Sequence, residues 1–212
     1  MSEPKSGNKT LIWVILGIVA VAGTFWLAFA GSGDALKNYE NPAFSEVAVQ
    51  GDGLGLFSGQ GGFDPSDLAI GLPAPVVTGE DYDGNTVTIG NDGEPKIIVF
   101  VAHWCPHCQA EVPRLSSRFG GGSSEGGVQF YTVATSTNAT RGNFPPALWL
   151  ESSGLVFPTV MDDVAQTVAQ AYGLNAFPYW VAIGADGNIA GRGSGQFDAE
   201  QVTAFIELAG DA

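Results

Sequence analysis

The chain has 212 residues, with 22 acidic against 8 basic side chains and a formal charge of −14. That acid excess argues against nucleic acid, which selects Lys and Arg patches, and gives no pull toward an anionic lipid surface. The length suits a membrane segment plus one ordinary domain of about 140 residues, enough to bury its own core.

The first ten residues are polar, with Lys5 and Lys9 against Glu3, and read as a short cytoplasmic tail. Leu11 to Ala30 follows without a single charge. Such a run spans a hydrocarbon core of about 30 Å. The lysines ahead of it mark that side as cytoplasmic, so a single pass through the cell membrane at 11–30 puts the remainder outside. Ala28-Phe29-Ala30 also has the small-x-small form of a cleavage site. The apolar run exceeds the usual signal-peptide core of about 7–15 residues, so an uncleaved anchor is preferred. Residues 31–70 are rich in Gly, Ser and Asp and read as a flexible linker. Phe44, Val47, Val49, Leu54, Leu56 and Phe57 within it are candidates for docking on the domain predicted over 71–212.

In that domain Asp83-Gly84-Asn85 is a turn signal before the short alternating strand Thr86–Ile89. Ile97 to Val101 reads as a buried strand and Gln109 to Leu115 as helix, with Pro106 suited to a first helical position. Gly120 to Gly127 is a loop, and Val128 to Ala134 is the next strand. Residues 136–154 follow no clean period; a short helix is expected from Asn143. Arg141 and Trp149 there are candidates for a substrate groove, surface packing being the plainer role. Val156 to Val160 reads as a strand. Asp163 and Gln166 have capping-box spacing before a helix that Gly173 stops at Tyr172. A strand follows Pro178, then a hairpin turn at Ala185 to Asn188 into Ile189–Arg192. Asp198 and Gln201 repeat the box before a helix with Val202, Phe205, Ile206 and Ala209 on one face. The predicted order is β-β-β-α-β-(insert)-β-α-β-β-α.

Between the buried strand and its helix lies Val101-Ala102-His103-Trp104-Cys105-Pro106-His107-Cys108, which holds both cysteines and both histidines of the chain. Cys-x-x-Cys at the end of an apolar strand reads as a redox pair. A thiol at a helix start faces unpaired N–H groups and the positive end of the dipole, which favours its thiolate. A protonated His107 favours it further. Cys105 is therefore read as the attacking thiol and Cys108 as the one that resolves the mixed disulfide. No cofactor is needed for this. A structural bridge competes, but so short a loop gains little loop entropy. Metal ligation by His103, Cys105, His107 and Cys108 is chemically allowed. Structural zinc, however, usually draws on two separated ligand pairs, and no second pair exists.

Trp104-Cys105-Pro106-His107-Cys108-Gln109-Ala110-Glu111-Val112-Pro113 resembles the W-C-x-x-C-x-x-E-x-P segment of the membrane-tethered TlpA/ResA group within the thioredoxin superfamily. Gly71-Leu72-Pro73-Ala74-Pro75 is similar to that group's entry sequence, and the Pro106-His107 dipeptide is that of DsbA-type oxidases. The resemblance covers residues 71 to 212. It implies a thioredoxin-like α/β fold, a mixed sheet flanked by helices with an N-terminal β-hairpin extension. Glu111 falls on the group's active-site glutamate and Pro113 on its helix-kinking proline. Pro178 falls on the proline that is cis and lies against the cysteines, where the backbone before it pairs with an extended client segment.

Thioredoxin itself carries a buried aspartate at the place of Val99, so Glu111, one turn beyond Cys108 on the same face, becomes the candidate base for Cys108. Phe177 precedes Pro178 where a smaller β-branched residue is more usual, implying a more apolar client surface. His103 is read as partly exposed, with tuning of the pair or no role as the alternatives. The expected activity is extracytoplasmic thiol-disulfide exchange with client proteins, recharged by an unidentified membrane redox partner. Trp104, Pro106 and His107 are expected to tune the pair, and Phe177 and Pro178 to bind clients. His107 argues for an oxidant and the Glu111 pattern for a reductase, including reduction of apocytochrome c thiols. A copper chaperone of the Sco type would want C-x-x-x-C and a distant histidine, and a peroxiredoxin T-x-x-C; neither pattern is here.

Overall fold

The structure is a computed structural model that describes residues 43–59 and 61–212. The predicted tail and membrane span lie outside the described residues, among which no helix is long and apolar enough to cross a membrane.

Among the described residues ten strands and four helices follow in order. They are β1 (Ala48–Gln50), β2 (Gly62–Phe63), β3 (Val76–Glu80), β4 (Thr86–Ile89), β5 (Lys96–Val101) and α1 (Pro106–Phe119). After these come β6 (Ser124–Glu125), β7 (Val128–Ala134), α2 (Pro146–Ser152) and β8 (Thr159–Met161). The chain closes with α3 (Thr167–Ala171), β9 (Tyr179–Ile183), β10 (Ile189–Ser194) and α4 (Ala199–Gly210). The main sheet runs β2-β10-β9-β5-β7-β6, with β8 also on β7. β5 is parallel to β7 and antiparallel to β9, so the sheet is mixed. The β3–β4 hairpin turns at Asp81 to Asn85 and joins β1 in a separate three-stranded sheet.

β5 is buried throughout because both its faces are covered. Ile97, Val99 and Val101 point to a core beneath α1 and α4 that includes Val112, Leu115, Val202 and Phe205. Ile98 and Phe100 point the other way, to Leu54, Phe57, Val77, Ile89, Tyr172 and Tyr179. Alternation on a pleated strand thus divides one apolar run between two cores.

The second core corrects the flexible linker. From Ala43 on, the Gly-rich segment is wrapped on the domain: β1 pairs with β3, β2 pairs with β10, and Phe57 is 1% exposed. The five-residue helix α3 covers too little of that face, and the wrap supplies the rest. Its glycines serve close approach. At Gly173, φ +72°, a Cβ would stand 1.8 Å from the Gly55 carbonyl oxygen. An ion pair fastens the wrap: Arg192 donates from Nε and Nη2 to both Asp67 oxygens at 2.6 Å, and from Nη1 to the Gly55 and Tyr172 carbonyls.

Two local expectations also shift. The Asp198–Gln201 capping box forms on α4 as predicted. The Asp163–Gln166 box does not, because Gln166 is left-handed at φ 61° and α3 begins only at Thr167. Asp163 instead caps the Thr167 N–H, and buried Asp162 accepts from Val168 and Ala169. The strand expected over 156–160 is realised as Thr159–Met161, with Val156 half exposed.

Candidate active site

The end of β5 delivers the motif. Cys105 is the N-cap of α1, in extended conformation, with Pro106 in the first turn where a missing N–H removes no bond. Both cysteines are free thiols and both are buried, Cys108 completely and Cys105 with 6% exposure. The Cys105 thiol is pulled down to about 5, first by the hydrogen bond Cys108 gives it. The N–H groups of Cys108 and His107 and the charge of His107 add to this, and burial opposes it. Cys108 is pushed far up, chiefly by burial, then by donating its proton toward Cys105 and by the Glu111 charge. The Ala102 N–H, 3.5 Å from Cys108 Sγ, works the other way. One thiol is thus an anion at neutral pH and the other its proton-bearing partner.

Glu111 is 1% exposed on the same face of α1 as Cys108. Burial raises its carboxyl above the ordinary range, against the pull of Arg114, 3.5 Å away, and the Phe197 N–H. It lines a surface pocket with Arg114, Arg118 and Phe197, which gives this buried acid an outlet for a proton. Val99 lies in the apolar core beside the cysteines, so no second carboxylate serves Cys108 from β5.

β9 brings the other half of the site. Its antiparallel register pairs Tyr179 with Phe100, which sets Pro178 alongside Val101 and the entry to the motif. The Phe177–Pro178 peptide is cis, Pro178 is buried, and its carbonyl accepts from Gly195 at 2.8 Å. No described residue hydrogen-bonds the Phe177 backbone. The Phe177 ring meets Trp104 edge to face at 5.9 Å. Trp104, half-buried, donates from Nε1 to the Ser136 carbonyl at 2.7 Å.

The two histidines part company. His107 is exposed, with Nδ1 3.0 Å from Gln196 Oε1. His103 is not partly exposed, as the sequence suggests, but 1% exposed. Its Nδ1 meets the Gly142 carbonyl at 2.8 Å, so that nitrogen carries the proton; Nε2 accepts from the Asn138 N–H at 3.1 Å. Both contacts hold only in the neutral ring. Burial first, then the Arg141 charge, keeps it from protonating. His103 therefore tethers the 138–142 loop rather than tuning the thiols. Sequence reasoning missed this, and the adjacent cis Phe144–Pro145 peptide. The one available signal was the run Asn143-Phe144-Pro145-Pro146. Of the two groove candidates, Trp149 packs in the core at 8% exposure, whereas Arg141 lies over the Trp104 ring at 4.9 Å. Among the described residues no group of three His, Cys, Asp or Glu side chains is arranged to hold a metal ion.

The Redoxin family model matches residues 69–206. Thiol-disulfide oxidoreductase ResA of Halalkalibacterium halodurans is 28% identical over 130 residues, covering 61% of this chain and 70% of that protein. Sporulation thiol-disulfide oxidoreductase A of Bacillus subtilis is 26% identical over 125 residues, covering 59% and 74%. The solution structure of a thiol:disulfide interchange protein from Bacteroides sp. overlays with a TM-score of 0.52 at 21% identity, covering 68% of this chain and 92% of that one. That last likeness shows the thioredoxin-like fold.

Proposed function

The chain belongs to the Redoxin family and is a TlpA/ResA-like thiol-disulfide oxidoreductase, and from that premise we propose that it exchanges disulfides with client proteins outside the cytoplasm. The observation that carries this is the split acidity of the pair, Cys105 down to about 5 and Cys108 far above an ordinary thiol. The Cys105 thiolate attacks a client disulfide, forming the mixed disulfide and releasing one client thiolate. Cys108 then gives its proton to Glu111, or to water, and attacks the Cys105 sulfur. That step closes the Cys105–Cys108 disulfide and frees the second client thiolate, so the client gains the two electrons the pair loses. Run backward, the same steps donate a disulfide. The client strand lies along the unpaired Phe177 backbone before cis-Pro178.

Direction follows from which form the protein stabilises. A thiolate favoured at Cys105 stabilises the reduced pair and makes its disulfide the better oxidant. We therefore read a disulfide donor. A buried Glu111 beside Cys108 favours the second reading, a reductant such as one acting on apocytochrome c cysteines. A membrane span at 11–30, with a membrane redox partner to recharge the pair, completes the reading. It is supported by the uncharged run and the lysines before it. Equilibration with glutathione decides direction. A potential near about −120 mV means donor, and one near about −270 mV means reductant. Retention of insulin-reducing and RNase-reshuffling activity by Cys105→Ser would defeat the whole proposal.

A further inference from the structure

Five Lys and Arg side chains fall within the described residues. Lys96, Arg114, Arg118 and Arg192 each sit in an ion pair. Among the described residues Arg141 has no ion-pair partner, although the chain is rich in acidic side chains. It lies exposed on the loop beside the motif, its guanidinium 4.9 Å from the centre of the Trp104 ring.

That placement is fixed from beneath. The neutral His103 ring holds Gly142 on one side of Arg141 and Asn138 on the other, and the Arg141 N–H closes the turn on the Asn138 carbonyl at 3.1 Å. Asn143 Nδ2 adds a bond to the His103 carbonyl. A buried histidine two residues before the nucleophile thus aims a cation at the face beside Cys105. The charge does not serve the thiolate, whose low pKa comes from Cys108, the helix N–H groups and His107. Stacking on an indole leaves the edge of the guanidinium free for two parallel hydrogen bonds.

We propose that Arg141 is a specificity-determining residue that pairs with the carboxylate of an Asp or Glu side chain flanking the client's reacting cysteine. This rests on the disulfide-exchange reading above. The client lies across Phe177, its apolar side chains on Trp104 and Phe177 and its acidic one under Arg141.

The test uses the full chain and three disulfide-bonded peptides that differ only in Glu, Gln or Lys beside the cysteine. The expected rate of mixed-disulfide formation is about fivefold higher for Glu than for Gln, the size of a good exposed ion pair, and the gap closes at high salt. Arg141→Gln equalises the two peptides, Arg141→Lys restores part of the preference, and Arg141→Glu reverses it toward the Lys peptide. Alkylation of Cys105 by neutral iodoacetamide reads the thiolate alone. A purely structural arginine would slow alkylation and all three peptides together, which overturns the proposal. So does the same Glu-to-Gln ratio in the parent and in Arg141→Gln. Absence of exchange with every peptide overturns the function itself, which separates the two failures.

Discussion

Titration of Cys105 with and without its partner tests the centre of the mechanism. At pH 5 a thiol with a pKa of about 5 is half ionised, whereas an ordinary thiol near 8.5 is about 0.03% ionised. The weaker base is also the weaker nucleophile. With a Brønsted coefficient of about 0.45, the loss over that interval is about fortyfold. The ratio of thiolate fractions at pH 5, about 1,600, still leaves Cys105 about forty times faster than an ordinary thiol toward an alkylating agent. At pH 7 the two effects nearly cancel, so a neutral-pH assay would see nothing. The profile should rise through about pH 5 and then stay flat. The first cause of the low value is the hydrogen bond from Cys108, and a hydrogen bond to a charged group contributes about 1.5–3 kcal/mol. Cys108→Ala should therefore raise the midpoint by about one to two pH units, while Cys108→Ser, which keeps a donor, should raise it less. Thiolate absorbance and alkylation rate give the midpoint independently. A parent midpoint near 8.5 would refute the assignment of Cys105. An unmoved midpoint in Cys108→Ala would refute the assigned cause.

Glu111→Gln should slow resolution of the mixed disulfide by about tenfold or more, seen by quenched-flow trapping, while the first attack keeps its rate. The same change should stabilise the fold at neutral pH. The Glu111 carboxyl is raised in the folded state, so it binds its proton more tightly there. Its contribution is complete below the unfolded value near 4.5 and is lost as pH rises through the folded one, and the amide escapes that loss. Denaturant midpoints at pH 4 and pH 7 measure the crossover. Asp67→Asn should cost about 3–5 kcal/mol in urea unfolding, because Arg192 is left buried without its counter-charge. A loss under about 1 kcal/mol would mean water reaches that pair.

Elements whose cause is local were legible. The Cys105–Cys108 motif, the β5 run and the Asp198 cap are each declared by a few adjacent residues, whereas the cis position of Pro178 was legible only through the family resemblance. What escaped depends on partners distant in sequence. Gly51 to Gly62 reads as a leash because glycine lacks side chains to announce packing. Its glycines instead let backbone approach backbone, as Gly55 does at Gly173. Arg192 stands among small residues with nothing nearby to name Asp67, 125 positions away. His103 reads from its neighbours as either a tuner of the pair or a partly exposed histidine without a role, but it is buried and its partners are Asn138 and Gly142. The Gln166 kink shows the other limit: a capping spacing is necessary for a box, yet Asp162 and Asp163 offered the helix start a better pair of acceptors.

The wrapped strap sets where this gene can be cut. A fragment beginning at residue 71, where composition changes and where the family match has just begun, would encode every chemical group described for thiol exchange. It would nonetheless lack Leu54, Phe57, Asp67 and Ala69. Such a product would leave Tyr172 and Tyr179 facing solvent and strand a guanidinium in greasy surroundings. It should emerge in inclusion bodies, or bind hydrophobic dyes, even though its CxxC sequence is intact. Expression should start at or before Ala43, and a soluble, dye-silent product from residue 71 would show that the sheet needs no such cover.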